Sequence, residues 1–212
     1  DSGAPDQPAH VAACVRCHAY LAAPAAAQAH AHHDPAVVSC LDCHLPRIVQ
    51  GLGTYVRSHR VSSPTDVAML RAAAPNACNL CHLDRSITWT ARALAAWGAT
   101  VVPKASWRAE YGGDLTAAVG PAWLTHREPY VRMLAAHAYA RAGDRAALPR
   151  LVEVLDDPEA NTRMWIAFAI EALIGERLGV AAYDPLAPPA TRARQLAGLR
   201  AWAAATASVP RP

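Results

Sequence analysis

Phenylalanine occurs once in this chain, at Phe168, and lysine once, at Lys104, against nineteen arginines. Aromatic residues make up 6% while hydrophobic residues reach 53%, with alanine supplying much of the difference. Small apolar side chains at that density suit closely packed helices and leave few bulky groups of the chain's own to fill a core. No stretch approaches the roughly 20 consecutive apolar residues of a membrane-spanning helix. Asp1 to Ala9 has neither the basic nor the apolar run of a secretory leader, so the chain reads as a mature product or a piece of a longer precursor. Stray cysteines are absent too. All six fall in three short clusters.

Those clusters are Cys14-Val15-Arg16-Cys17-His18, Cys40-Leu41-Asp42-Cys43-His44 and Cys78-Asn79-Leu80-Cys81-His82. Each is C-x-x-C-H, the attachment signature of a c-type haem. Two thiols a helical turn apart can form thioethers with the two vinyl groups of one porphyrin, and the adjacent His becomes the proximal iron ligand. Structural zinc uses paired C-x-x-C units but does not demand a His after each. A thioredoxin-like pair needs one motif in a βαβ setting, and ferredoxin clusters need a tighter cysteine run. Three covalently bound haem c groups are the expectation, attached at Cys14, Cys17, Cys40, Cys43, Cys78 and Cys81. Their proximal ligands are then His18, His44 and His82.

A formal charge of +3 does not make this a nucleic-acid binder. Each oxidised haem with two His ligands contributes about −1, so three bring the loaded protein to about zero. The arginines suit propionates and surface ion pairs, because their fork matches a carboxylate. Covalent haem attachment implies maturation outside the cytoplasm, so a periplasmic or outward-facing location is expected.

Residues 1–98 hold every cysteine and eight of the ten histidines; residues 99–212 hold two histidines. Two domains follow: a loop-rich, haem-packed domain over 1–98 and a helical repeat domain over 99–212, jointly mostly α, with Ala99 to Pro103 as the joint. Leu83, Ile87, Ala91, Leu94 and Trp97 recur at helical spacing before a Gly98 stop. In the second half, Val131-Arg132-Met133 through Ala138 recurs as Thr162-Arg163-Met164 through Ala169, 31 residues further on. Between them Gly143-Asp144 offers a stop and an N-cap, and Leu148, Leu151, Val152 and Leu155 form another stripe. Asp156-Asp157-Pro158 turns into the next unit. This pattern resembles HEAT or HEAT-like repeats, with Trp107 to Val119 and Ala190 to Ala205 as degenerate flanks. Gly179 to Pro189 reads as an ordered connector and Ser208 to Pro212 as a tail.

Three irons also need distal ligands, and seven histidines remain: His10, His30, His32, His33, His59, His126 and His137. Neutral imidazole suits the role. The His30-Ala31-His32-His33 cluster is expected to give two ligands, His30 and His33, because adjacent side chains cannot both face one iron. His59, between the second and third motifs, is the further choice, with His10 competing and Met69 a less needed alternative. His126 and His137 read as structural.

The stretch over residues 30–92, through C-L-D-C-H-L-P-R-I, S-H-R-V-S-S-P and C-N-L-C-H-L-D-R-S-I-T-W-T, resembles a family of bacterial multihaem cytochromes c. Members often continue into HEAT or tetratricopeptide repeats, and the layout is similar to parts of the pentahaem nitrite reductases. The resemblance implies His33 and His59 as distal ligands. It departs from those reductases in lacking any C-x-x-C-K motif, the one that makes their catalytic haem. The function expected is therefore a relay of single electrons between redox partners, not enzymatic, with the repeats docking a partner protein. A role as a subunit of a membrane electron-transfer complex is compatible with it. The alternative is a small multihaem reductase of nitrogen or sulfur oxyanions with one open haem.

Overall fold

The structure, a computed structural model, describes residues 8–64, 75–99 and 107–206. It is mostly α, as the composition implies. Helices α1 (Pro8–Cys17), α2 (Pro24–Ala31) and α3 (Cys40–His44) lead to a hairpin of β1 (Arg47–Gln50) and β2 (Tyr55–Arg57). Then come α4 (Ile87–Ala96), α5 (Trp107–Tyr111), α6 (Val119–Leu124), α7 (Pro129–Ala142), α8 (Leu148–Glu153), α9 (Ala160–Ile174) and α10 (Pro189–Thr206). Most of the Ala99–Pro103 joint, Met69 and the whole Ser208–Pro212 tail lie outside the described residues.

The expected helix ahead of Gly98 is α4. Ser86 caps it, its hydroxyl accepting from the Trp89 N–H at 3.0 Å. Leu83, Ile87, Ala91 and Leu94 are buried, and Gly98 adopts φ 86° just after the helix. The hairpin had no counterpart in the sequence reading. Its strands pair antiparallel, Gln50 opposite Tyr55 and Arg47 opposite Arg57, with an irregularity between Arg47 and Val49.

The repeat survives in three dimensions as a recurring brace. Arg132, early in α7, donates through one guanidinium nitrogen to the carbonyls of His126 and Arg127 (2.7 and 3.0 Å). Arg163, early in α9, does the same to Asp157 and Pro158 (2.7 and 2.9 Å). Helices α7 and α9 pack on one another, and α10 lies against α8. Leu148, Leu151, Val152 and Leu155 are all buried, as their stripe implies.

Burial is unevenly shared. Helices α1 and α2 contain no buried residue. The hairpin, the third motif and the helices from α4 onward share one apolar cluster. Tyr55, 1% exposed, sits among the rings of Tyr130, His137 and Trp165. Tyr130 donates its hydroxyl to the Ile48 carbonyl. The Val119 and Gly120 N–H groups donate to the carbonyls of Arg85 and Leu83, each at 3.0 Å, tying α6 to the chain after the third motif.

Candidate haem-binding site

The three motifs are held in three different ways. Cys14 and Cys17 lie in the last turns of α1, and His18 follows, exposed. The second motif is α3 itself. Its Asp42 carboxylate accepts from the Ser39 N–H at 2.8 Å, capping the helix start, and pairs with Arg57 at 2.8 Å. Arg57 also donates to the Leu41 and Leu45 carbonyls (2.7 and 3.1 Å), so the hairpin grips the motif at both ends. The third motif is a run of turns around Asn79, which is fully buried. Its amide donates to the carbonyls of His82 and Arg85 (3.1 and 3.2 Å) and accepts from Asn76 and Thr90 (2.9 and 2.7 Å).

The histidines make the more telling geometry. His30 and His44 have ring centres 6.1 Å apart with planes 11° from parallel; His33 and His82 are also 6.1 Å apart, tilted by 37°. Imidazole binds first-row metals at about 2 Å. Its nitrogen lies about 1 Å from the ring centre, given ring bonds of about 1.3–1.4 Å. Two imidazoles on opposite sides of one metal therefore have centres roughly 6 Å apart. A direct stack is shorter, as His32 on Trp97 shows at 4.3 Å.

Proton positions agree with this spacing. His44 Nδ1 lies 2.7 Å from the Ser62 carbonyl, and His33 Nδ1 lies 2.7 Å from the Ala31 carbonyl. A carbonyl only accepts, so Nδ1 carries the proton in both and Nε2 keeps a lone pair for a metal. His82 has its pKa lowered by burial and by neighbouring His33, which favours the neutral form a metal requires.

His30 and His33 can separate because of the turn between them. Helix α2 ends with His32 in the left-handed region (φ 55°), the one described non-glycine residue with positive φ. That reversal sends His30 toward the second motif and His33 toward the third. His32 itself faces neither and lies on Trp97. His59 is exposed in the turn after β2, and among the described residues it shares no ring contact with a motif His. His10 is exposed on α1, four residues before Cys14 on the same helix that leads to His18. His126 and His137 are buried and hydrogen-bonded, which is the structural role their position implies.

Burial pushes the Cys43 thiol up to about 12 and the Cys78 thiol up to about 11, and raises that of Cys81. Cys43 also senses Cys78 and Cys81, so the second and third motifs converge. Cys40, Cys43 and Cys78 are half-buried and Cys81 is exposed, so the attachment points lie at an accessible face, with the paired imidazoles, Asp42, Arg57 and Arg141 around them. These residues fit the group.

Residues 25–104 match the family model of cytochrome c552. The match takes in the second and third motifs with His30, His33 and His59, and supports a multihaem c-type cytochrome that carries covalent haem c and serves electron transfer. The first motif and the helical half lie outside it. No curated protein and no solved structure matches the chain. No helix among the described residues is long and apolar enough to cross a membrane.

Sequence reasoning passed over Asn79 and Arg57, and it placed Trp97 on the apolar stripe of α4, whereas the ring is 36% exposed and stacks on His32. Asn79 and Asp42 occupy the variable places of their motifs, where nothing marks a residue as structural. Arg57 was one arginine among nineteen.

Proposed function

We propose that this chain is an extracytoplasmic triheme cytochrome c that relays single electrons between redox partners, residues 1–98 carrying the haems and the helical, HEAT-like half docking a partner protein. The observation that carries the reading is the pair of 6.1 Å imidazole separations with Nε2 left free. His44 and His30 would hold the iron of the second haem, and His82 and His33 that of the third. His59, a distal ligand by its place between motifs and the family resemblance, is left to the first haem with His18 because His30 and His33 are taken by the other two. Haem c supplies reversible one-electron exchange; iron with two imidazoles has no open position for a substrate. The chain's own part is to hold the imidazoles, keep them neutral and bring the motifs close.

Intact mass of the purified protein should exceed the polypeptide by three haem equivalents, and the reduced protein should bind carbon monoxide at no more than a few per cent of its haems. His30→Ala and His33→Ala should each open one haem, and a different one. His59→Ala should open another. If neither His30→Ala nor His33→Ala gains carbon monoxide binding, the assignment of the two pairs is wrong.

A second reading draws on His18, whose ring meets that of Tyr20 at 6.3 Å and no imidazole among the described residues. A first haem with an open face would suit a small multihaem reductase of nitrogen or sulfur oxyanions. One equivalent of carbon monoxide bound by the unmodified protein would favour it over the relay.

A further inference from the structure

The His30–His33 turn has an unusual support. Helix α2, which carries it, buries no residue, so apolar packing does not fix its end. The turn also contains the left-handed His32, a conformation that a non-glycine residue holds only when its surroundings favour it. Two polar contacts help: the His32 N–H donates to the Gln28 carbonyl at 2.8 Å, and His33 is tied to Ala31. Both are local and say nothing about where the turn sits relative to the motifs.

Trp97 supplies that reference. Its indole lies flat on the His32 ring, centres 4.3 Å apart and planes 10° from parallel, and meets His33 edge-on at 6.5 Å. Trp97 ends α4, a helix anchored through Ile87, Ala91 and Leu94 in the shared core. Its own N–H closes the helix on the Ala93 carbonyl at 3.1 Å. A half-exposed ring at the end of a core-anchored helix thus meets a turn that has no buried residue of its own.

We propose that the Trp97–His32 stack is a clamp that positions the distal turn, so that one contact sets ligation at two irons. The proposal rests on His30 and His33 being distal ligands. Trp97 and His32 are positioning residues, acting through the histidines on either side of the turn. Releasing the clamp lets both imidazoles leave their irons part of the time, which couples the second haem to the third without any new contact between them.

The test uses the haem-loaded full chain. Trp97→Ala should raise the carbon monoxide-reactive fraction several-fold, up to roughly tenfold, the factor a lost aromatic contact gives. Two haems of the three should respond together. Trp97→Phe should restore most of the inertness. His32→Asn keeps a residue that tolerates the left-handed turn, leaves α4 untouched and should reproduce the Trp97→Ala spectrum even if that variant folds poorly. Wild-type inertness in His32→Asn, with three haems by mass, overturns the clamp, as does a response confined to one haem. Failure of the underlying ligation is distinguishable, because His30→Ala and His33→Ala would then leave carbon monoxide binding unchanged.

Discussion

Asn79 makes every hydrogen bond its amide allows, two donated and two accepted, at 0% exposure. Replacing it with Asp sets a carboxylate against the carbonyls of His82 and Arg85 and leaves both without a donor. Asn79→Asp should destabilise the fold by about 3 kcal/mol in denaturant unfolding, with the third motif loosening first. His137 gives a pH-dependent counterpart. Its Nε2 donates to the Trp165 carbonyl at 3.0 Å, and burial lowers its pKa from 6.5 to about 4. Between those values the unfolded chain binds the proton that the folded one refuses. The contribution of His137 is therefore complete above pH 6.5 and is lost as pH falls toward 4, in all by about 3 kcal/mol. Unfolding free energy measured across that window should slope upward with pH, and His137→Gln should remove most of the slope. Equal slopes in the two proteins would acquit His137. Its structural role was legible in the sequence from its place in a repeat; the carbonyl it meets was not, because Trp165 is 28 residues away.

At the scale of elements, the repeat is held by its arginines more than by its surface ion pairs. Arg132 pairs with Asp157 at 2.6 Å, their side chains 12% and 4% exposed, and also satisfies two carbonyls before α7. Arg200 pairs with Glu153 at 2.9 Å in the open, at 44% and 58%. Arg132→Ala leaves a buried carboxylate without its partner and should cost about 3–5 kcal/mol. Arg200→Ala should cost below about 1 kcal/mol, since water replaces the partner. Similar losses for both would mean that burial does not decide the matter. The sequence showed an arginine early in each unit, but its task depends on a turn folding back beneath the helix start. The β1–β2 hairpin was similarly illegible. Four residues and three make too short a pattern, and what stabilises them is Tyr55 packed among rings from α7 and α9.

Over the whole molecule, two kinds of order coexist. From α4 onward, with the hairpin, the chain has an apolar core of its own; α1 and α2 contribute no buried residue to it. Those helices are too short to persist alone in water, and on the proposed function the haems attached beside them supply the missing order. A chain with all six motif cysteines changed to serine, and hence without covalent haem, should keep 107–206 helical and slow to exchange amide hydrogens. Residues 8–38 should exchange at near unfolded rates and be cut first by protease. Strong protection of 8–38 in that variant would show that the polypeptide orders itself there.

Covalent chemistry explains what was readable without coordinates. A haem attachment site needs two thiols and an imidazole at fixed spacing along the chain, and so do the period of a buried helix face and the recurrence of a repeat. Each of these is local, and each stands in the sequence. Pairing is not local. Which histidine comes to lie beside which motif goes with a reversal at His32, a tryptophan more than sixty residues later stacked on it and a hairpin that closes over the second motif. Only the tertiary structure brings those together, because imidazoles become partners by distance in space, and no spacing along the chain encodes 6.1 Å.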